Sequence, residues 1–227
     1  FSKSYELVIE ELLKEIYCYK KEQNETKIEL SFILLSLFSS LIDADKRSAG
    51  KIEDIDRIKV PENLIDIYKK NKFKNTEESL MNKKREEIYN KVINKVEYIN
   101  LENRIYTLTA PTGSGKTLTA FSLALKLRKK IEDEFEYKPR IIYSLPFIAT
   151  INQNFQVLDE CLNLLEDYPN NNSKYLIAHH HLANMKYMEG NEYKEIEESL
   201  ELVESWESEI VVTTFVQFLE TLIGFKN

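Results

Sequence analysis
The residues best suited to chemistry in this chain stand together as Thr112-Gly113-Ser114-Gly115-Lys116-Thr117. Two glycines let the backbone bend closely around a polyphosphate, so that amide N–H groups and the positive end of a following helix point at the anion. In that arrangement Lys116 reaches the β- and γ-phosphates of a nucleotide, and the Thr117 hydroxyl helps to hold Mg²⁺. The surroundings agree: Arg104 to Ala110 alternates apolar and polar residues as a strand does, and a helix-forming run begins at Lys116. The stretch reads as strand, phosphate-binding loop and helix, with Ala110 in place of the usual first glycine. A plain Gly-Ser-Gly turn between a strand and a helix is the structural alternative.

Other candidates are fewer. Asp43 and Asp45 close a long apolar run, where carboxylates are costly without a partner or a purpose. Three adjacent histidines, His179, His180 and His181, cannot easily share one helix face or one metal, and they read as a loop or helix start rather than a metal site. Cys18 and Cys161 are the only cysteines in 227 residues, too few and too far apart for a disulfide scaffold or a zinc site, so a reduced, cytoplasmic interior is the simpler setting. With 31 Lys and Arg against 38 Asp and Glu the net charge is −7, which confines any nucleic-acid contact to a local groove. No segment has the unbroken apolar length of a membrane span, and the N-terminus lacks a signal-peptide pattern. Phe1 in place of an initiator Met leads us to expect a piece of a longer protein.

The elements that must position these residues follow from periodicity. Leu7, Ile9, Leu12, Leu13, Ile16 and Tyr17 predict an amphipathic helix over Ser4 to Lys21, and Thr26 to Asp45 predicts a buried core helix that stops near Gly50. Residues 51–75 hold no period for long; a short helix near Leu64 to Lys70 follows Pro61, and the stretch reads as a linker joining two units. Helical spacing returns from Thr76 to Asn100, with a basic cluster at Lys83, Lys84 and Arg85. A helix just before the loop could wall the base-binding side of a nucleotide pocket; for those three residues the plain reading is a solvated charged face.

Past the loop, a helix is predicted over Thr117 to Ile131, a strand over Arg140 to Leu145 and a helix over Phe147 to Leu165. A weaker strand follows at Lys174 to Ala178, then an acidic helix from Tyr187 to Glu209. A third strand, Glu209 to Thr213, runs into a last helix from Thr214 to Phe225. Strands alternating with helices imply right-handed crossovers and a parallel sheet with helices on both faces. Ligands of such sheets sit at the carboxyl ends of the strands, where the loop falls.

The order APTGSGKT, then IIYSLPF, then a strand ending in Thr213-Thr214 with FVQFL resembles the first three motifs of the first RecA-like lobe of superfamily 2 helicases. More narrowly, YSLPFIATINQNF and VVTTFVQFLETLIG resemble the CRISPR-associated helicase-nucleases of type I systems, which couple an HD-type metal nuclease to a DExD/H-box helicase. The resemblance implies a RecA-like α/β fold preceded by an all-helical segment: residues 1–50 ending the nuclease domain, 51–75 a linker and 76–227 the first, incomplete helicase lobe. It implies ATP and Mg²⁺ at Thr112 to Thr117, with Lys116 as the catalytic charge. Pro146, Phe147, Ile148, Ala149, Thr213 and Thr214 would hold single-stranded DNA by its phosphates. SLIDADKR resembles the Ala-Asp pair that closes the nuclease domain, which would make Asp45 a ligand of a divalent transition metal. Its plain reading is a helix-end acid with local hydrogen bonds. Thr213 and Thr214 equally suit a strand end and a helix cap.

The partner implied is the Cascade surveillance complex, which opens the target DNA. The nuclease histidines, the DExD/H box and the second lobe with its arginine finger are not in this sequence, so the chain by itself is expected to be nearly inert. Two further readings stay open: an unrelated phosphate-loop kinase or NTPase, and a nucleotide-binding adaptor without turnover.

Overall fold
The computed structural model describes residues 27–50, 57–74, 79–179, 188–189, 192–193 and 206–223. Its chain divides into two units, Phe1–Asp54 with Phe218–Asn227, and Ile55–Gln217. In the first lies helix α1 (Lys27–Gly50). Its side chains include exposed Phe32, Ile33, Leu34, Leu37, Phe38 and Leu41, so the apolar run expected as a buried helix is a helix with an open apolar surface. The helix expected over Ser4 to Lys21 lies outside the described residues.

The second unit is built on a three-stranded sheet. Its elements in chain order are α2 (Leu64–Lys72), α3 (Leu80–Ile93), α4 (Lys116–Phe135), β1 (Ile141–Leu145), α5 (Ile148–Leu162), α6 (Tyr168–Tyr175), β2 (Leu176–His179), β3 (Met188–Glu189), β4 (Glu192–Tyr193), β5 (Ile210–Thr214) and α7 (Phe215–Ile223), which runs on past Gln217. β5 lies between β1 and β2 and pairs in parallel with both. Its sequence, Ile-Val-Val-Thr-Thr, suits a central position: β-branched side chains pack on both faces, and Ile210, Val211, Val212 and Thr213 are all buried. The parallel strands and intervening helices predicted from the sequence are thus present as a mixed α/β unit.

Helices α4 and α5 cover the sheet through Phe121, Leu125, Ile151, Leu158 and Leu162, which share one core with Ile141, Ile210 and Val212. α4 runs antiparallel to the strands. At its start Thr117 lies beside Tyr143 of β1. About three turns further on, buried Arg128 pairs with Glu209, the residue just before β5. The N-terminus of α4 is thereby carried to the carboxyl end of the sheet.

Glu209 is a buried staple. Its carboxylate accepts from Arg57 Nε and Nη2, both at 2.9 Å, from the backbone N–H of Ile58 at 2.8 Å and from Arg128. Burial alone would push the Glu209 carboxyl up. The Arg57 hydrogen bonds and the charges of Arg128, Arg57 and Lys138 outweigh it, and the group lies below the ordinary glutamate range.

Three expectations are corrected. Residues 104–110, predicted as the strand before the loop, form no ladder: Ile105 is 86% exposed, and the Tyr106 hydroxyl donates to the Asn100 carbonyl. Alternation makes a stretch competent to be a strand, but only pairing makes it one, and no described strand lies alongside. Within the stretch taken as a linker, residues 57–74 contribute to the core, because Val60, Leu64, Ile65 and Tyr68 are buried in the same cluster as the sheet, while 51–56 and 75 lie outside the described residues. At the start of the predicted acidic helix, Met188–Glu189 and Glu192–Tyr193 pair as antiparallel strands.

Candidate nucleotide site
Gly113 and Gly115 have φ of +74° and +81°, a left-handed region that side chains rarely adopt, and they turn the chain from Pro111 into α4. A Cβ built on either glycine meets nothing within 4 Å, so glycine serves backbone conformation here and not space. The Ser114 N–H reaches Pro111 O at 3.4 Å, a long contact that closes a turn. Lys116 opens the helix, and its ammonium donates to Ala110 O at 3.0 Å, across the neck of the loop. The Thr119 hydroxyl and N–H both go to Gly115 O, at 3.0 and 3.1 Å, and fix the first turn. Ser114 is buried, and its hydroxyl oxygen has no hydrogen-bond partner. A buried hydroxyl beside unpaired helix-start amides is an arrangement that a phosphate oxygen would satisfy.

Thr117 is half-buried. Its neighbour Tyr143 has its phenol pushed up by burial, an effect that Thr117 partly offsets.

A hollow of about 470 Å³ opens beside the loop. Gly113, Ser114 and Gly115 form one wall; Phe73, Asn82, Arg85, Tyr89 and Leu118 contribute to the others. Its shape is held by a buried hydrogen-bond network. The Tyr89 hydroxyl donates to Asp66 Oδ1 at 2.6 Å and lies 2.7 Å from Ser122 Oγ, while Lys126 donates to Asp66 Oδ2 at 2.9 Å. Burial and then Asp66 push the Tyr89 phenol up. The Lys69 ammonium sits 3.2 Å from the Tyr89 ring centroid. One tyrosine of α3 thus locks α2 and α4 together behind the hollow.

Arg85 was read as part of a solvated face, and the structure gives it a partner. Its Nε donates to Gly113 O at 2.8 Å and its Nη1 to Asn82 Oδ1 at 3.0 Å. The signal was present in the spacing, because Ser79, Asn82 and Arg85 recur every three residues and fall on one helix face. Tyr143 and Glu209, also missed, carried no local mark: a tyrosine in a strand and a glutamate before one gain meaning only from residues far off in sequence.

The residues expected to meet nucleic acid lie on one edge. Leu145 and Thr214 are register partners on adjacent parallel strands, so Pro146 and Phe215 leave the sheet side by side at its carboxyl end. Pro146, Phe147 and Ala149 are exposed, and Ile148 is half-buried as the first residue of α5. Thr213 is fully buried, with its hydroxyl donated to His179 O at 2.8 Å; Thr214 is half-buried and caps α7 by accepting from Gln217 N–H at 3.0 Å. His179 itself is the last residue of β2, buried, with Nδ1 accepting from Trp206 Nε1. The loop or helix start expected there is a strand end, and His180 and His181 lie outside the described residues.

Asp45 stands exposed on α1, and the Asp43 side chain is outside the described residues. Among the described residues no group of three potential metal ligands gathers, and no helix is long and apolar enough to cross a membrane. Cys161 is free and buried, and burial pushes its thiol up to about 12, which suits packing rather than reactivity.

Two comparisons bear on the site. The family described as "Type III restriction enzyme, res subunit" matches residues 78–223, from α3 through the loop and sheet to α7. The CRISPR-associated nuclease/helicase Cas3 of Haloferax volcanii is 33% identical over 130 residues. That match covers 54% of this chain and 14% of the relative, so the chain spans a small part of the relative's length. The resemblance to CRISPR-associated helicase-nucleases that the motifs carry is thus met by a relative of that description.

Proposed function
The chain belongs to the family described as type III restriction enzyme, res subunit, and from this we propose that its second unit is the nucleotide-binding lobe of an ATP-driven motor on single-stranded DNA. The observation that carries the proposal is the pair of left-handed glycines delivering Lys116 to the first position of α4, with an orphaned Ser114 hydroxyl between them. Thr112 to Thr117 would hold the triphosphate of ATP, and the Thr117 hydroxyl would be one ligand of Mg²⁺. When bound, the ion would supply charge to the β- and γ-phosphate oxygens.

What the chain's own residues do follows from the geometry. Lys116 exchanges the Ala110 carbonyl for phosphate oxygens and brings a full positive charge to them, a charge-assisted bond stronger than the one it leaves. Ser114 offers its hydroxyl and its weakly held N–H. Thr117 lies beside Tyr143 of β1, which would set the nucleotide next to the sheet. The hollow lined by Phe73, Tyr89 and Leu118 is the place for the base, an apolar cleft with polar groups at its rim.

Pro146 to Ala149 and Thr214 form the track for the DNA strand, gripping phosphates without reading bases. Thr213, enclosed and already bonded, would support that track from behind. In the whole protein this lobe would be coupled to a metal-dependent nuclease to which Asp45 contributes a ligand, acting in CRISPR interference on DNA opened by a Cascade-type complex. The relative's description as a nuclease/helicase supports that pairing.

The test is the ATPase rate of the full-length protein with and without single-stranded DNA. A motor lobe is expected to be accelerated by about tenfold or more, the barrier change of a single well-placed contact. A rate unmoved by DNA would point instead to a phosphate-loop kinase or another NTPase.

A further inference from the structure
We infer that Arg85 is a positioning residue for the phosphate loop, holding the Gly113 carbonyl turned away so that the adjoining Ser114 N–H stays available to the anion. The inference rests on the reading of the loop as a triphosphate site. A peptide unit is planar, so the Gly113 C=O and the Ser114 N–H point in opposite directions and turn together. Gly113, at φ +74°, can adopt backbone angles closed to other residues, which leaves this peptide able to flip. A flip would present a carbonyl oxygen, the negative end of the dipole, to the triphosphate.

Arg85 opposes that flip. Its Nε bond to Gly113 O at 2.8 Å is charge-assisted, and it leaves the Ser114 N–H on the far side with only the 3.4 Å contact to Pro111 O. The guanidinium is itself fixed: Asn82 Oδ1 accepts from Nη1 at 3.0 Å, and the Asn82 N–H is held at 3.1 Å by Ser79 Oγ, the N-cap of α3. Three residues on one helix face thus set one carbonyl of the loop. Because Arg85 also lines the hollow, the same side chain lies between the place of the base and the place of the phosphates.

The experiment measures dissociation constants of Mg·ATP and of Mg·tripolyphosphate, which has no base, on the full-length protein. Arg85→Ala is expected to weaken both ligands by a similar factor, about tenfold for one charged hydrogen bond, with no change in Tm because the side chain is exposed. Arg85→Lys, able to reach Gly113 O but not Asn82 at the same time, should recover part of the loss for both ligands. Asn82→Ala should weaken both by a smaller common factor. The inference is overturned if Arg85→Ala weakens ATP alone, which would make Arg85 a base contact, or if it weakens neither. An equal loss that comes with a lowered Tm and is not recovered by lysine also overturns it. Failure of the underlying reading shows separately: Lys116→Ala would then leave tripolyphosphate binding unchanged.

Discussion

At the scale of single residues, the loop depends on backbone angles before it depends on side chains. Gly115 sits at φ +81° with open space where a Cβ would project, so Gly115→Ala isolates the conformational cost, about 1–2 kcal/mol for an ordinary residue held in the left-handed region. Asparagine visits that region more readily. ATP affinity of the full-length protein is therefore expected to fall about tenfold in Gly115→Ala and distinctly less in Gly115→Asn. Equal losses in the two titrations would mean that the loop needs glycine for closeness and not for its angle. The loop was legible in the sequence because its residue types act locally, each glycine, lysine and threonine serving its own neighbours. Arg85 and Thr213 were not, since a guanidinium in a basic cluster and a hydroxyl at a strand end take their meaning from carbonyls 28 and 34 residues away.

At the scale of elements, α4 is anchored far from the loop it carries. Its fourth turn is tied to Glu209 through Arg128, and Glu209 draws in Arg57 from the stretch that sequence composition marks as a linker. Low periodicity hid that stretch because its core contacts come from four residues in nine, and from an arginine whose only unusual property is its distant partner. Removing one member of such an enclosed cluster strands the others, at a cost of about 3–5 kcal/mol. Glu209→Gln is expected to lose stability of that order near neutral pH.

The sign of the pH dependence follows from the direction of the shift. Glu209 titrates below its ordinary 4.5, so its contribution is full above that value and is lost as pH falls through the folded one. Thermal unfolding should show the wild-type Tm falling steeply below about pH 4.5, with a shallower fall in Glu209→Gln. Parallel curves would remove Glu209 from the account. The segment 104–110 makes the complementary point: its residues alternate as a strand's do, yet a ladder takes two strands, and no described strand pairs with it.

At the scale of the whole molecule, the second unit places three things at one end of a parallel sheet: the loop at the start of α4, the hollow beside it, and the edge where Pro146 and Thr214 emerge. The mixed α/β class with its parallel strands was legible in the alternation of strands and helices, because crossover handedness leaves few arrangements. The open apolar surface of α1 was not, for hydropathy says that a face wants cover and not where the cover lies. A net charge of −7 confines any nucleic-acid contact to a local groove, which is the kind proposed for this edge.

The claim on which the rest depends is that the bend at Gly113 and Gly115 grips a triphosphate through Lys116. It is tested most directly by ATP hydrolysis of the full-length Lys116→Ala protein in the presence of single-stranded DNA. The account predicts hydrolysis reduced to background while metal-dependent cleavage of free single strands persists; DNA-stimulated hydrolysis at the wild-type rate would contradict it.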